Sequence, residues 1–148
     1  MSPSLFQGPE VRLVAPLVPN GASAESEAAR NEGPDGDAWG QLLEELQRIR
    51  GLGDDWDGQG AEAPSAANVD WAREWVRQMR RYPQAIPPSK AVPGVAGEVY
   101  LEWRGASFYL VAELSAPAGV EWMLSAPGEP NRHWVTEGSL PYFVSSAC

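Results

Sequence analysis

The sequence predicts an α+β domain in which two helices pack on a three- to five-stranded antiparallel β-meander, with a disordered N-terminal extension. Two observations lead to this fold class. Apolar residues recur at the spacing of amphipathic helices between residues 39 and 79, whereas from residue 98 onward they alternate, as in strands with one buried face. Short turns separate the alternating segments, which indicates hairpins and therefore an antiparallel sheet.

Both predicted helices have start and stop signals. The first lies between Asp37, a residue type that favours the N-cap, and Gly51, a typical terminator. The second follows Ser65, which can cap it, and ends before Tyr82. Their apolar faces consist of Trp39, Leu42, Leu43, Leu46 and Ile49 in the first helix, and of Val69, Ala72, Trp75, Val76 and Met79 in the second.

A proline-rich loop and a series of strands follow the helices. Residues 83–94, PQAIPPSKAVPG, contain too many prolines for a helix or a strand and are expected to run as an extended loop. Gly105 and Ala106 connect the first two predicted strands as a hairpin. Strands are predicted at residues 98–104, 107–114 and 120–125, with a weaker one at 133–136 and a closing edge segment at 140–144.

The chain is expected to divide into an extension (1–37), one domain (38–144) and a short tail (145–148). Within the extension, residues 10–18 are apolar, and residues 19–37 are small and acidic, which predicts a disordered linker. The apolar segment is a candidate partner-binding site that docks either on this domain or on another protein. Its candidate residues are Val11, Leu13, Val14, Leu17 and Val18.

The charge of the chain argues against nucleic-acid binding. The net charge is −9, and residues 19–65 hold eleven acidic residues against three arginines, which leaves −8 in that window. Such a surface repels a polyanion and is either a solubilising surface or one that steers a basic protein partner. The start of the chain has the pattern of neither a signal peptide nor a membrane span, and Cys148 is the only cysteine, so we expect a cytoplasmic protein.

The stretch GDDWDGQG, residues 53–60, is open to two interpretations. Asp55 and Asp57 imitate the front half of a calcium-binding loop, but the expected bidentate glutamate is replaced by Ala66, so no metal site is predicted. The favoured interpretation is a tight turn between the helices. In this turn Gly58 and Gly60 adopt positive φ, Asp57 accepts backbone N–H groups, and Trp56 is a buried plug between helices and sheet.

No catalytic constellation emerges from the sequence, and neither an enzyme nor a cofactor is predicted. His133, the only histidine, has no nucleophile to serve and is expected on the surface or on an edge strand. Glu102 and Glu113 lie on adjacent predicted strands and can form a carboxylate pair of the kind used in glycoside hydrolysis. The alternation places both on the solvent side, where an ordinary polar face accounts for them.

A second candidate contact surface is a stripe formed by Arg73, Arg77 and Arg80 on one flank of the second helix, beside Trp71. The alternative is a solvated face with Asp70–Arg73 and Glu74–Arg77 pairs at helical spacing.

Two motifs carry a resemblance. WDGQGA at residues 56–61 and GEVYLEW at residues 97–103, which includes Trp103, resemble the motifs W-D-G-x-G-A and G-x-[VI]-x-L-E-W of a largely uncharacterised group of short bacterial proteins. The resemblance covers roughly residues 40–115, and the chain departs from it in its longer N-terminal extension and in its tail after residue 125. By type, the group resembles antitoxins, immunity proteins and accessory subunits, without assigning a role to any single residue.

These observations together favour a non-catalytic protein-binding module, antitoxin-like or an accessory subunit of a bacterial complex. The main alternative is a small-ligand or carbohydrate binder that uses exposed tryptophans, and the third is a weak hydrolase built on Glu102 and Glu113. Exposure of Trp56, Trp71 and Trp103 discriminates between them, because a solvent-facing row favours sugar binding and burial favours the module.

Overall fold

The computed structural model describes residues 4–7, 11–14, 34–115, 119–137 and 143–146. It confirms the α+β fold with two helices and a five-stranded antiparallel sheet. In chain order the elements are β1 (Ser4–Gln7), β2 (Val11–Val14), α1 (Pro34–Arg50), α2 (Ala66–Met79), β3 (Lys90–Pro93), β4 (Val99–Arg104), β5 (Tyr109–Ser115), β6 (Gly119–Ser125), β7 (Arg132–Glu137) and β8 (Phe143–Ser146).

The larger sheet is a meander in the order β3-β4-β5-β6-β7, and the two helices pack on one of its faces. Alternation along the strands decides which side chains face the helices. In β4, for example, Val99, Leu101 and Trp103 are buried, and they pair across the sheet with the equally buried Leu114, Ala112 and Leu110 of β5. The predicted alternation of the sheet is therefore present, and no helix within the described residues packs on the opposite, outer face.

Tryptophans dominate the core between helices and sheet. Trp75 of α2 meets the edges of Trp103 and Trp122 of the sheet, with ring centroids 6.2 and 5.5 Å apart. Each of these two sheet indoles keeps a polar partner: Trp103 Nε1 donates to the Ile86 carbonyl and Trp122 Nε1 to the Thr136 hydroxyl, both at 2.9 Å. Burial of these rings supplies large apolar area without leaving their N–H groups unsatisfied.

Most helix signals have the predicted effect. The Ser65 hydroxyl accepts from the Asn68 backbone N–H, and the Gly51 N–H donates to the Arg48 carbonyl as α1 ends. The start of α1 is a correction, because the helix begins at Pro34, and Asp37 lies inside it rather than at its N-cap. A proline suits the first helical turn, where its missing N–H has no intrahelical partner to lose. Residues 34–37 therefore belong to α1 and not to the linker, whose remainder, 19–33, lies outside the described residues.

The proline-rich loop is also corrected in part, because Lys90–Pro93 form a strand that pairs antiparallel with β4. This strand is at the edge of the sheet, where a proline costs no ladder hydrogen bond on the open side.

A second, three-stranded sheet in the order β1-β2-β8 was not predicted. Val11 and Leu13 of β2 are fully buried and pair with Ser146 and Val144 of β8. These two residues belong to the core of this chain, so this part of the segment docks on its own domain, one of the two expected alternatives, and its assignment to a separate extension is corrected. Val14 pairs through its backbone with Phe143, so the boundary between domain and tail at residue 144 falls within a strand. Leu17 and Val18 lie outside the described residues.

Candidate binding surface on the outer face of the sheet

The loop between the helices is built by its own backbone hydrogen bonds. Gly58 and Gly60 adopt φ of +75° and +87°, as predicted from their sequence positions. The Asp57 carboxylate accepts from the N–H groups of Gln59 and Ala61 at 2.8 and 3.1 Å. These two donors lower the pKa of Asp57, because they stabilise its charged form. The turn interpretation of GDDWDGQG is confirmed at these residues.

Trp56 is not the buried plug that was predicted. It is half-buried, and it is absent from the cluster of side chains that form the core or pack against it. Its indole Nε1 donates to the Glu62 carbonyl at 3.0 Å, which fastens the ring to its own loop. The plug position is occupied instead by Trp75, which reaches the sheet from α2.

The aspartates of this loop serve its backbone. The carboxylates of Asp54 and Asp55 accept from the N–H groups of Ala63 and Gly60 at 2.9 and 2.7 Å. In the ranges that the structure describes, no three histidine, cysteine or acidic side chains come together as a metal ion requires.

The two sequence motifs meet in the structure. The Glu62 N–H donates to the Val95 carbonyl, and the Ser65 N–H and the Asn68 amide both donate to the Gly97 carbonyl, each at 2.9 Å. These bonds tie the end of the inter-helix loop to the turn that precedes β4. WDGQGA and GEVYLEW therefore form one structural unit that sets the position of α2 against the sheet.

The arginine stripe of α2 has the geometry of the solvated face that was the alternative interpretation. Arg73 lies 3.9 Å from Asp70 and Arg77 lies 3.9 Å from Glu74. Asp70 also accepts two hydrogen bonds from Arg50 at 2.8 and 3.2 Å, which lower the pKa of the carboxyl group. Arg73 and Arg77 therefore have acidic neighbours on the surface of the same helix.

The other two members of the predicted arginine surface also have structural partners. Arg80 caps the C-terminus of α2 through its backbone, and Trp71 is half-buried against the core.

The outer face of the five-stranded sheet carries two rows of side chains that run across the strands. We call them the acidic row and the apolar row. The acidic row is named after its two central residues and consists of Tyr100, Glu113, Glu121 and Val135, in cross-strand register. The apolar row is likewise named after its central valine and methionine and consists of Glu102, Val111, Met123 and His133. An open cavity of about 500 Å³ lies over this face and is lined by members of both rows.

The apolar side chains on this face are the residues that sequence reasoning missed. Val111 and Met123 are half-buried, and Val135 is 58% exposed, one of two exposed large hydrophobic residues in the described parts of the chain. They occupy strand positions that alternation assigns to the polar side. Apolar residues at positions expected to be polar were the available signal.

Glu102 and Glu113 share this face but do not oppose each other. Glu102 pairs across the strands with Val111, and Glu113 pairs with Tyr100. The carboxylate that does lie directly opposite Glu113 is Glu121, on β6. The pair proposed for hydrolysis is therefore diagonal, and the close pair is a different one.

The two carboxylates also differ in their surroundings. Glu102 has its side chain only 12% exposed and lies near Lys90 and Arg104, at 3.8 and 4.0 Å. Among the described residues, no lysine or arginine comes within salt-bridge distance of Glu113 or Glu121. Charge on the outer face is thus balanced around Glu102 and negative along the acidic row.

The pKa of Tyr100 is raised by burial and, to a smaller extent, by this negative potential. Burial raises its pKa to about 12, and the nearby charges of Glu113, Glu98 and Glu121 together with a hydrogen bond to Glu113 add to the shift. Negative charge disfavours ionisation of a phenol, so the direction agrees with the row's acidity. Burial and a hydrogen bond to Glu102 likewise raise the pKa of Tyr109 on the same face.

None of the seven tryptophans is exposed. Trp39, Trp75, Trp103 and Trp122 are buried, and Trp56, Trp71 and Trp134 are half-buried. The three discriminating residues of the sequence analysis form neither a fully buried set nor a solvent-facing row. His133, in contrast, is exposed on β7, an edge strand, as predicted.

Comparisons with known proteins give no further guidance. Scans against protein-family models, curated proteins and solved structures each find no match. In the described ranges, no helix combines the length and the apolar character needed to cross a membrane.

Proposed function

We propose that this protein is a non-catalytic protein-binding module, antitoxin-like or an accessory subunit of a bacterial complex, and that it binds its partner with the outer face of the five-stranded sheet. The proposal keeps the function expected from the sequence. It moves the contact surface from β2 and the arginine stripe to β4–β7, because Val11 and Leu13 are buried and the arginines lie beside acids of α2.

The observation that carries the proposal is the composition of the outer face. A sheet face that contacts only water is normally polar, yet half-buried Tyr100, Val111 and Met123 and the exposed Val135 lie together here. Aromatic and methionine side chains surrounded by charged ones are typical of protein interfaces. Among the described residues no element covers this face, so a partner is able to reach it.

The alternatives have weaker support. The carbohydrate binder was based on exposed tryptophans, and none of the seven is exposed. A cavity of about 500 Å³ has the volume of a small-ligand site, which keeps a small-ligand binder as the second candidate. The hydrolase lacks a directly opposed Glu102–Glu113 pair.

A matched pair of substitutions tests the proposal. Val135 and Val95 are exposed by 58% and 65%, but only Val135 lies on the outer face. We expect tagged Val135→Asp to lose a specific partner that the wild-type chain captures from its native source, and Val95→Asp to retain it. Val95→Asp should melt like the wild type, since a surface substitution usually changes the free energy of unfolding by less than about 0.5 kcal/mol. Val135→Asp should stay folded but lose up to about 1 kcal/mol, because it places a carboxylate directly opposite Glu121. Equal capture by both variants would exclude the outer face as the binding surface.

A further inference from the structure

Glu113 and Glu121 of the outer face have no salt-bridge partner among the described residues. They lie directly opposite each other on β5 and β6, in the row that also contains Tyr100 and Val135. Like charges in directly opposed positions of a sheet destabilise it. Lys90 and Arg104 lie 3.8 and 4.0 Å from Glu102, in the other row.

Among the described residues, two hydroxyl groups lie at Glu113. The Ser115 hydroxyl donates to the Glu113 carboxylate at 3.5 Å, at the limit of a hydrogen bond, and Tyr100 lies directly across the strands from Glu113, whose interaction with the phenol contributes to its raised pKa. Glu121 is exposed, and no hydrogen bond or ion pair of its side chain occurs in the described parts of the chain. The acidic row therefore has carboxylate oxygens available for a donor from outside.

We propose that the acidic row binds an arginine or lysine of the protein partner, and that the apolar row binds an apolar side chain close to it in the partner sequence. This inference rests on the proposed function. A cation bridging Glu113 and Glu121 relieves their repulsion and forms charge-assisted hydrogen bonds, and its alkyl stem packs on the ring of Tyr100 and on Val135.

The spacing of the rows defines the partner segment. The acidic and apolar rows are two residues apart along each strand, which corresponds to about 7 Å. Side chains two residues apart in an extended segment have the same separation. A segment with the pattern basic-x-apolar therefore places its cation on Glu113 and Glu121 and its apolar side chain on Val111 and Met123.

Charge complementarity favours a basic segment of a protein partner over a nucleic acid or a second copy of this chain. The chain carries −9 overall, so a basic segment is attracted at long range and a nucleic acid is repelled. A second copy of this chain would bring the same acids to the interface and add to the repulsion instead of relieving it.

A displayed library of random peptides, selected on the full chain, tests this inference without knowledge of the natural partner. We expect the enriched peptides to carry arginine or lysine with an apolar residue two positions away. Their affinities are then measured by fluorescence anisotropy for the wild type, for Glu113→Gln/Glu121→Gln, and for Glu44→Gln/Glu129→Gln. The last variant makes the same change in net charge at two exposed acids outside the two rows.

The affinity of the enriched peptides should fall about tenfold or more in Glu113→Gln/Glu121→Gln, as expected for lost hydrogen bonds to a charged group, and stay close to wild type in Glu44→Gln/Glu129→Gln. Enriched peptides without a cation, no enrichment, or equal loss of affinity in both variants would each overturn the inference. These failures are distinguishable from failure of the proposed function, because capture of the natural partner and its loss in Val135→Asp are measured separately. A wild-type dimer that Val135→Asp dissociates would assign the face to a second copy and overturn the inference as well.

Discussion

Substitution of Leu13 by alanine tests whether β2 is part of the folded core. Leu13 is 0% exposed, and its backbone pairs with Val144 of β8. The substitution removes three carbons, which at about 0.8 kcal/mol for each buried methylene accounts for about 2.4 kcal/mol of lost transfer free energy. A residual cavity adds to this value, and leucine-to-alanine changes in protein cores cost roughly 3 to 5 kcal/mol. We therefore expect the free energy of unfolding to fall by about 3 kcal/mol.

Urea unfolding followed by tryptophan fluorescence measures this change, because four tryptophans lie in the core that unfolds. A loss of about 3 kcal/mol also lowers the melting temperature by roughly 6 to 12 °C in a domain of this size. The control is Val95→Ala, at a position 65% exposed, for which a change below about 0.5 kcal/mol is expected.

Equal stability of Leu13→Ala and the wild type would refute the reasoning. In that case β2 would not be packed in solution, and the segment would be available to a partner, as one interpretation of the sequence held. A loss of about 3 kcal/mol with an unchanged dependence on urea concentration would instead place β2 in the cooperative unit.

Two other predictions concern the buried indole of Trp75 and the phenol of Tyr100. Trp75→Ala should lower the free energy of unfolding by about 3 to 5 kcal/mol, and Trp56→Ala should lower it clearly less, because of these two residues only Trp75 is fully buried. Urea unfolding measures both changes. Equal losses would restore the interpretation of Trp56 as a buried plug. The pKa of Tyr100, about 12, lies above its ordinary value of 10.0, so the unfolded chain loses this proton first and stability should fall as pH rises from 10 to 12. Glu113→Gln should lower the pKa of Tyr100, measured as the tyrosinate absorbance that Tyr100→Phe removes, and an unchanged pKa would contradict the negative potential assigned to the acidic row.

The parts of the fold that were predictable depend on local pattern. Alternation in β4 and β5 and the capping residue Ser65 act within a few residues, so the sequence alone indicates the meander and the start of α2. Lys90–Pro93 has no such signal, because its prolines argue against a strand and only its edge position next to β4 permits one.

The features of the fold that the sequence does not predict depend on contacts between residues far apart in the chain, or on which of two similar residues occupies a given position in the core. Nothing in residues 11–14 indicates that their partner is β8, since the pairing is set by packing of the whole core. Trp56 and Trp75 are equally apolar, and only the direction of α2 decides which of them reaches the sheet. Val111, Met123 and Val135 lie on the side of the strands that alternation assigns to solvent, so the pattern alone predicts an ordinary polar face there.

The pairing of β2 with β8 has a consequence for the order of folding. Residues 15–142 separate the two strands, so their contact closes a very long loop and carries a correspondingly large entropic cost. At a synthesis rate of about 5 to 20 residues per second, β8 is made roughly 6 to 25 s after β2. During that interval β2 can pair with β1 but lacks β8, its second partner strand. The three-stranded sheet is therefore complete only after β8 has been made.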